Sequence, residues 1–183
     1  MTTNTQNYVG APYGASNSTV DNYSFITSDI IFKGDAPLMI FTYAEVCFAR
    51  AEAAARGWTT EDAAAWYAKG MQASMDQWGV AAADATTYAG TKTYGDVTDI
   101  VYERWVAQYL QGYNSWSEWR RAKAMGSDAK IGLTAPGNLV NGTDIPQRHG
   151  YSATAGSLNK ANYDAAVAAQ GPDNLDTKIW LFK

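Results

Sequence analysis

The sequence predicts a mostly α fold of helical hairpins joined by long loop-rich segments, and three observations predict it. Residues 37–58, PLMIFTYAEVCFARAEAAARGW, open with a proline suited to a first helical position, run through good helix formers and meet a stop at Gly57. After a connection of a few residues, TEDAAAWYAKGMQASMDQWGV repeats an apolar spacing of three and four, and so short a link forces antiparallel packing. Residues 96–125 then carry a second pair of helical periodicities.

Taken in order, residues 1–36 are rich in Asn, Thr, Ser and Gly and read as an extended leader that packs over the body, with one short strand-like piece at 25–32. The first helix carries Phe41, Ala44, Phe48, Ala51 and Ala55 as an apolar stripe, with Glu45 and Glu52 one heptad apart beside it. Thr59 and Asp62 form a capping-box-like start to the second helix, completing a pair over about residues 37–79. AAADATTYAGTKTYGD reads as a polar loop with a role of its own. Asp96 caps the next helix, which runs to Gly112, and a shorter helix follows Ser115. The two pairs are centred roughly forty to fifty residues apart, near the period of tetratricopeptide-like repeats. From 126 to 183 the chain is loop-rich, with a last helix at 160–170 and an apolar tail, KIWLF, expected to dock back on the body.

A formal charge of −4, without any basic run, argues against nucleic acid or an anionic bilayer as partner. Cys47, the single cysteine, lies in the first helix among apolar neighbours and reads as an inert core thiol. With one Cys and one His, His149, no zinc site or nucleophilic triad can be assembled, so no metal, cofactor or catalytic residue is expected. Asp84, Asp96, Asp99, Asp128, Asp144, Asp173 and Asp176 show no EF-hand spacing and read as solvated turn residues. The spacing of Glu45 and Glu52, about 10 Å along a helix, is near that of the acids in inverting glycosidases. Flanking an alanine-rich packing face, however, they are expected to pair with arginines: Glu52 with Arg56 one turn on, and Glu45 with Arg120, Arg121 or Arg148 across helices.

TYAEVCFARAEAAARGW, YAKGMQASMDQWGV, QYLQGYNSWSEWRRA, IPQRHGY, SLNKANYDAA and KIWLF stand in the order seen in the C-terminal part of SusD/RagB-like proteins. The chain resembles that family over about residues 37–183, and NYVGAPYG is similar to the loop that precedes this part in one branch. It departs after Arg148, with Ser152 and Ala155 where the family has Pro and Glu. The resemblance implies a tetratricopeptide-like, surface-exposed outer-membrane lipoprotein of Bacteroidota that binds oligosaccharide or polysaccharide without catalysis. It implies delivery of the starch-like glycan to a SusC-like TonB-dependent transporter. A signal peptide and lipobox are absent from this chain, which reads as a C-terminal portion whose membrane contact is a lipid anchor carried elsewhere.

Carbohydrate sites combine an exposed aromatic face with polar side chains. Trp66, Trp78, Trp105, Trp116 and Trp119, at helical spacing, read as core. Tyr8, Tyr13 and Tyr23 in the leader, with Tyr88 and Tyr94 between the helix pairs, are the rings expected to be exposed and to bind ligand. The alternative function is a helical-repeat scaffold for a protein or peptide partner.

Overall fold

Thr42 and Glu45 decide where the first helix begins. The Glu45 N–H donates to Thr42 Oγ1 at 3.3 Å while the Thr42 N–H donates to Glu45 Oε2 at 2.9 Å, a reciprocal capping box that starts α1 at Tyr43–Ala55. Residues 37–41, expected to be helical, instead lead into the cap. The box satisfies the orphan amides at Thr42, and a start at Pro37 would forgo it. Gly57, at φ +72°, supplies the stop the sequence predicts.

The computed structural model describes residues 9–10, 23–24, 26, 30, 32–135 and 141–182. Tyr8, Tyr13 and most of the strand expected at 25–32 lie outside them. The chain divides into two units, Met39–Leu133 and a second made of Met1–Leu38 with Thr134–Lys183.

In the first unit, Asp62 accepts from the N–H groups of Ala64 and Ala65 at 2.9 and 3.1 Å and opens α2, Ala63–Gln77, without help from Thr59. α1 and α2 form the expected hairpin. Gly70 is what lets them close: a Cβ there would lie 2.7–2.9 Å from the Phe48 ring. Gly70→Ala is therefore expected to lower stability by about 1–3 kcal/mol through overpacking. That outweighs the ~1 kcal/mol by which alanine favours a helix interior. A urea midpoint that stays put or rises would show that the ring can give way.

The connection expected to be loop contains a third helix, α3, Ala82–Gly90. Four alanines favour it, and the Thr86 and Thr87 hydroxyls fold back onto the Ala82 and Ala83 carbonyls at 2.8 Å. α4, Val97–Ala107, starts at Asp96 as expected, with Asp99 completing a capping box, but stops five residues short of Gly112. Leu110 takes a left-handed φ of +65°, and Gly112 begins α5, Gly112–Ala124, earlier than Ser115. The core joins Ala44, Phe48, Ala51, Tyr67, Met71, Ile100 and Ala107, with Trp66, Ala73, Tyr88 and Tyr94 packed against it.

In the second unit a short α6, Ala155–Leu158, precedes α7, Lys160–Gln170, which matches its expected bounds. Two aspartates hold the loops. Asp176 accepts from the Thr143 and Asp144 amides at 2.7 and 3.2 Å. Asp173 accepts from the Tyr151 amide and the Tyr163 hydroxyl and pairs with Arg148 at 3.1 Å. The apolar tail ends in a short turn, Trp180–Phe182, with Trp180 79% exposed. No strand is present among the described residues.

Candidate functional site

The two glutamates of α1 go to different partners. Glu45 is buried, and beyond its capping role it accepts from Gln108 Nε2 at 3.2 Å. The arginine bridge expected at Glu45 does not form. Its carboxylate is satisfied at the start of its own helix, where the dipole favours a negative charge. Glu52 takes the arginines: Arg56 at 2.7 Å, as expected one turn on, Arg121 of α5 at 2.6 Å and Arg104 of α4 at 3.8 Å. Glu118 faces Arg104 at 3.7 Å and also binds Arg121. Three guanidinium groups and two carboxylates thus tie α1, α4 and α5 into one frame. Burial alone would raise the Glu52 carboxyl, but Arg121 and Arg56 hold it below its ordinary value. Arg148 sits in the other unit, on Asp173, and the Arg120 guanidinium lies 4.2 Å from the Trp116 ring centre.

Glu45 and Glu52 are 3% and 8% exposed, the first taken up by its cap and Gln108, the second by arginines. Cys47 is fully buried and His149 exposed. Among the described residues no group of three His, Cys, Asp or Glu could hold a metal, and no helix is long and apolar enough to cross a membrane.

Of the tyrosines singled out, Tyr23 is half-buried. Tyr88 is half-buried too, with its hydroxyl donating to the buried Glu103 carboxylate at 2.8 Å, which Lys92 also pairs at 3.2 Å. Burial, together with that carboxylate, pushes the Tyr88 hydroxyl far above the usual tyrosine range. Tyr94 packs on the core with its ring 5.7 Å from that of Tyr67. Trp66, half-buried, is covered by cations, Arg50 at 3.7 Å and Lys69 at 4.7 Å from the ring centre.

Exposed rings gather elsewhere. Because α1 and α2 are antiparallel, α1 begins where α2 ends, and the Glu45–Gln108 bond places the end of α4 there as well. At this end the Trp78 and Tyr109 rings meet edge to face at 5.5 Å and 70°, with Tyr109 50% exposed. Val80 and Leu110 flank them in sequence and are exposed, and so is Tyr113, which opens α5. Helical spacing places Trp78 on a helix face, and Tyr109 stands one turn after Trp105. The signal that separates them is the break after each, Gly79 at φ +66° and Leu110 at φ +65°, which puts both rings past the last helical turn.

A family model, SusD-like, described as starch-binding and associating with outer membrane, matches residues 1–152. Among solved structures the chain is similar to a Bacteroidetes AC2a SusD-like protein, at 28% identity and a TM-score of 0.66, over 78% of this chain and 30% of that one. It is also similar to a chitin-binding protein, at 25% identity and a TM-score of 0.59, over 77% of this chain and 32% of that one. A SusD homolog from Bacteroides fragilis shares the fold at 22% identity and a TM-score of 0.58, over 77% of this chain and 34% of that one. The chain therefore spans 30–34% of the length of these structures. No curated protein matches it.

Proposed function

The chain belongs to the SusD-like family, and on that premise we propose that it works without catalysis, as part of a protein that holds oligosaccharide at the outer-membrane surface and hands it to a SusC-type TonB-dependent transporter. The observation that carries this reading is the family match over residues 1–152, whose description joins starch binding to the outer membrane. The chitin-binding relative supports a carbohydrate as the ligand class. In this reading the arginine–glutamate frame has a mechanical role. It fixes α1, α4 and α5 against one another, so that side chains presented at their ends keep a constant spacing.

Calorimetric titration of the chain with chitohexaose and maltohexaose, alongside a reducing-sugar assay, tests it. Expected are saturable binding of one of the sugars and no release of reducing ends. Reducing-end release lost in Glu45→Gln would reinstate a hydrolase. Binding of peptides alone would favour the helical-repeat scaffold.

A further inference from the structure

We propose that the end of the helical unit where α2 stops and α4 turns into α5 is a sugar subsite for a neutral pyranose, with Tyr109 and Trp78 as its aromatic wall and the amides of Gln108 and Gln111 as its polar floor. The proposal rests on the glycan-binding reading above and names a place for it within this chain.

Unmet hydrogen bonding is the first observation. Gln108 and Gln111 are 3% and 8% exposed, yet Gln108 Oε1 and Gln111 Nε2 have no hydrogen-bond partner, and neither has Gln77 Nε2, next to Trp78. Their other halves are engaged: Gln108 Nε2 donates to Glu45, and Gln111 Oε1 accepts from Asn114 at 2.7 Å. The two side chains are thereby held in place while one acceptor and one donor stay open. Buried amide groups left this way are costly and uncommon, and they call for a ligand or an ordered water.

The second observation is where these amides sit. They bracket Tyr109 and Leu110, whose side chains are about half exposed and stand on a left-handed turn at φ +65°. A non-glycine residue adopts that conformation at a cost, and such strain gathers where a segment binds or moves.

Chemistry selects the occupant. The unpaired groups are uncharged, one accepting and the others donating, on residues that neighbour Trp78 and Tyr109 in sequence, whose rings stand edge to face. A charged ligand would find no counter-charge in these amides. A pyranose presents C–H groups to an aromatic face and hydroxyls that both donate and accept. An acetamido substituent offers the same complement, one N–H and one carbonyl. Chitohexaose and maltohexaose therefore share the recognised chemistry, and titration with each separates them.

The test compares Tyr109→Ala, Tyr109→Phe, Gln111→Leu and Trp58→Ala with the parent chain, each first checked for an unchanged thermal transition. Trp58 is an exposed ring on the α1–α2 connection and serves as the control. Tyr109→Ala and Gln111→Leu are expected to weaken binding of the preferred hexasaccharide about tenfold or more, while Tyr109→Phe, which keeps the ring, and Trp58→Ala stay within about threefold. Should Tyr109→Ala fail to fold, the contrast between Gln111→Leu and Tyr109→Phe carries the same decision. Sugar binding that Tyr109→Ala and Gln111→Leu leave intact overturns the subsite but keeps the glycan-binding reading. Gln111→Leu that stabilises the fold without touching affinity shows that a water fills the floor, and also overturns it. Absence of binding by the folded parent chain overturns both.

Discussion

Phe48→Ala is expected to lower the unfolding free energy by about 3–5 kcal/mol, the range for removing a fully buried aromatic ring. Single domains have about 5–15 kcal/mol in hand, so this one change should move the urea midpoint far or abolish cooperative unfolding. The site leaves little room for relaxation. The ring is 0% exposed, stands edge-on to Tyr67 at 6.3 Å, and faces the bare backbone of Gly70. A cavity bounded by a helix backbone cannot be refilled by a neighbouring side chain changing rotamer. Phe41→Ala is the control, since Phe41 is 67% exposed and its loss should stay within about 0.5 kcal/mol. If the two variants unfold at the same urea concentration, the packing described for α1 and α2 is wrong.

The contrast between these phenylalanines also marks how far the fold could be read from residues alone. Both fall on one stripe at helical spacing, and periodicity cannot say where the helix starts. The Thr42/Glu45 box can, and it leaves Phe41 outside. The hairpin, the Asp96 cap and α7 were legible because each had an apolar repeat and a local start or stop signal. α3 was not, because its buried contribution rests on Ala85 and a half-buried Tyr88, too little for a stripe to show. The premature end of α4 was hidden for another reason: Leu110 is an unusual residue for a left-handed turn, whereas Gly112 carries the ordinary stop signal.

Site residues were harder to read, and for a physical reason. That Glu52 would pair with Arg56 follows from their spacing of one turn, whereas Arg104 and Arg121 reach it only through the packing of α4 and α5 on α1. Tyr88 looks exposed in a polar stretch until the helix it belongs to turns it toward Glu103. Trp78 looks like core until breaks in the helices bring it and Tyr109 together at one end. Each of these depends on which elements meet, and sequence spacing within one element does not encode that.

The charge frame supplies the second large effect. Glu52→Gln keeps the shape of the side chain but strips Arg56 of its carboxylate and leaves Arg104 and Arg121 with Glu118 alone. Removing one partner of a buried ion pair costs about 3–5 kcal/mol. The arginine side chains here are 23–33% exposed, and water screens part of their repulsion, so about 2–3 kcal/mol is expected. The sign of the pH dependence follows from the lowered Glu52 carboxyl. A carboxyl held lower in the folded than in the unfolded state contributes its full stability above the ordinary value of 4.5 and loses it as pH falls through the folded value. The gap between parent and Glu52→Gln should therefore be widest near neutral pH and close on acidification below 4.5. Adding Arg56→Gln to Glu52→Gln removes one of the stranded cations and should restore part of the loss, a coupling that a double-mutant cycle measures directly. Parallel acid-unfolding curves for parent and Glu52→Gln would mean that solvent, and not Glu52, balances the three arginines, and the frame would then not be what holds α4 and α5 to α1.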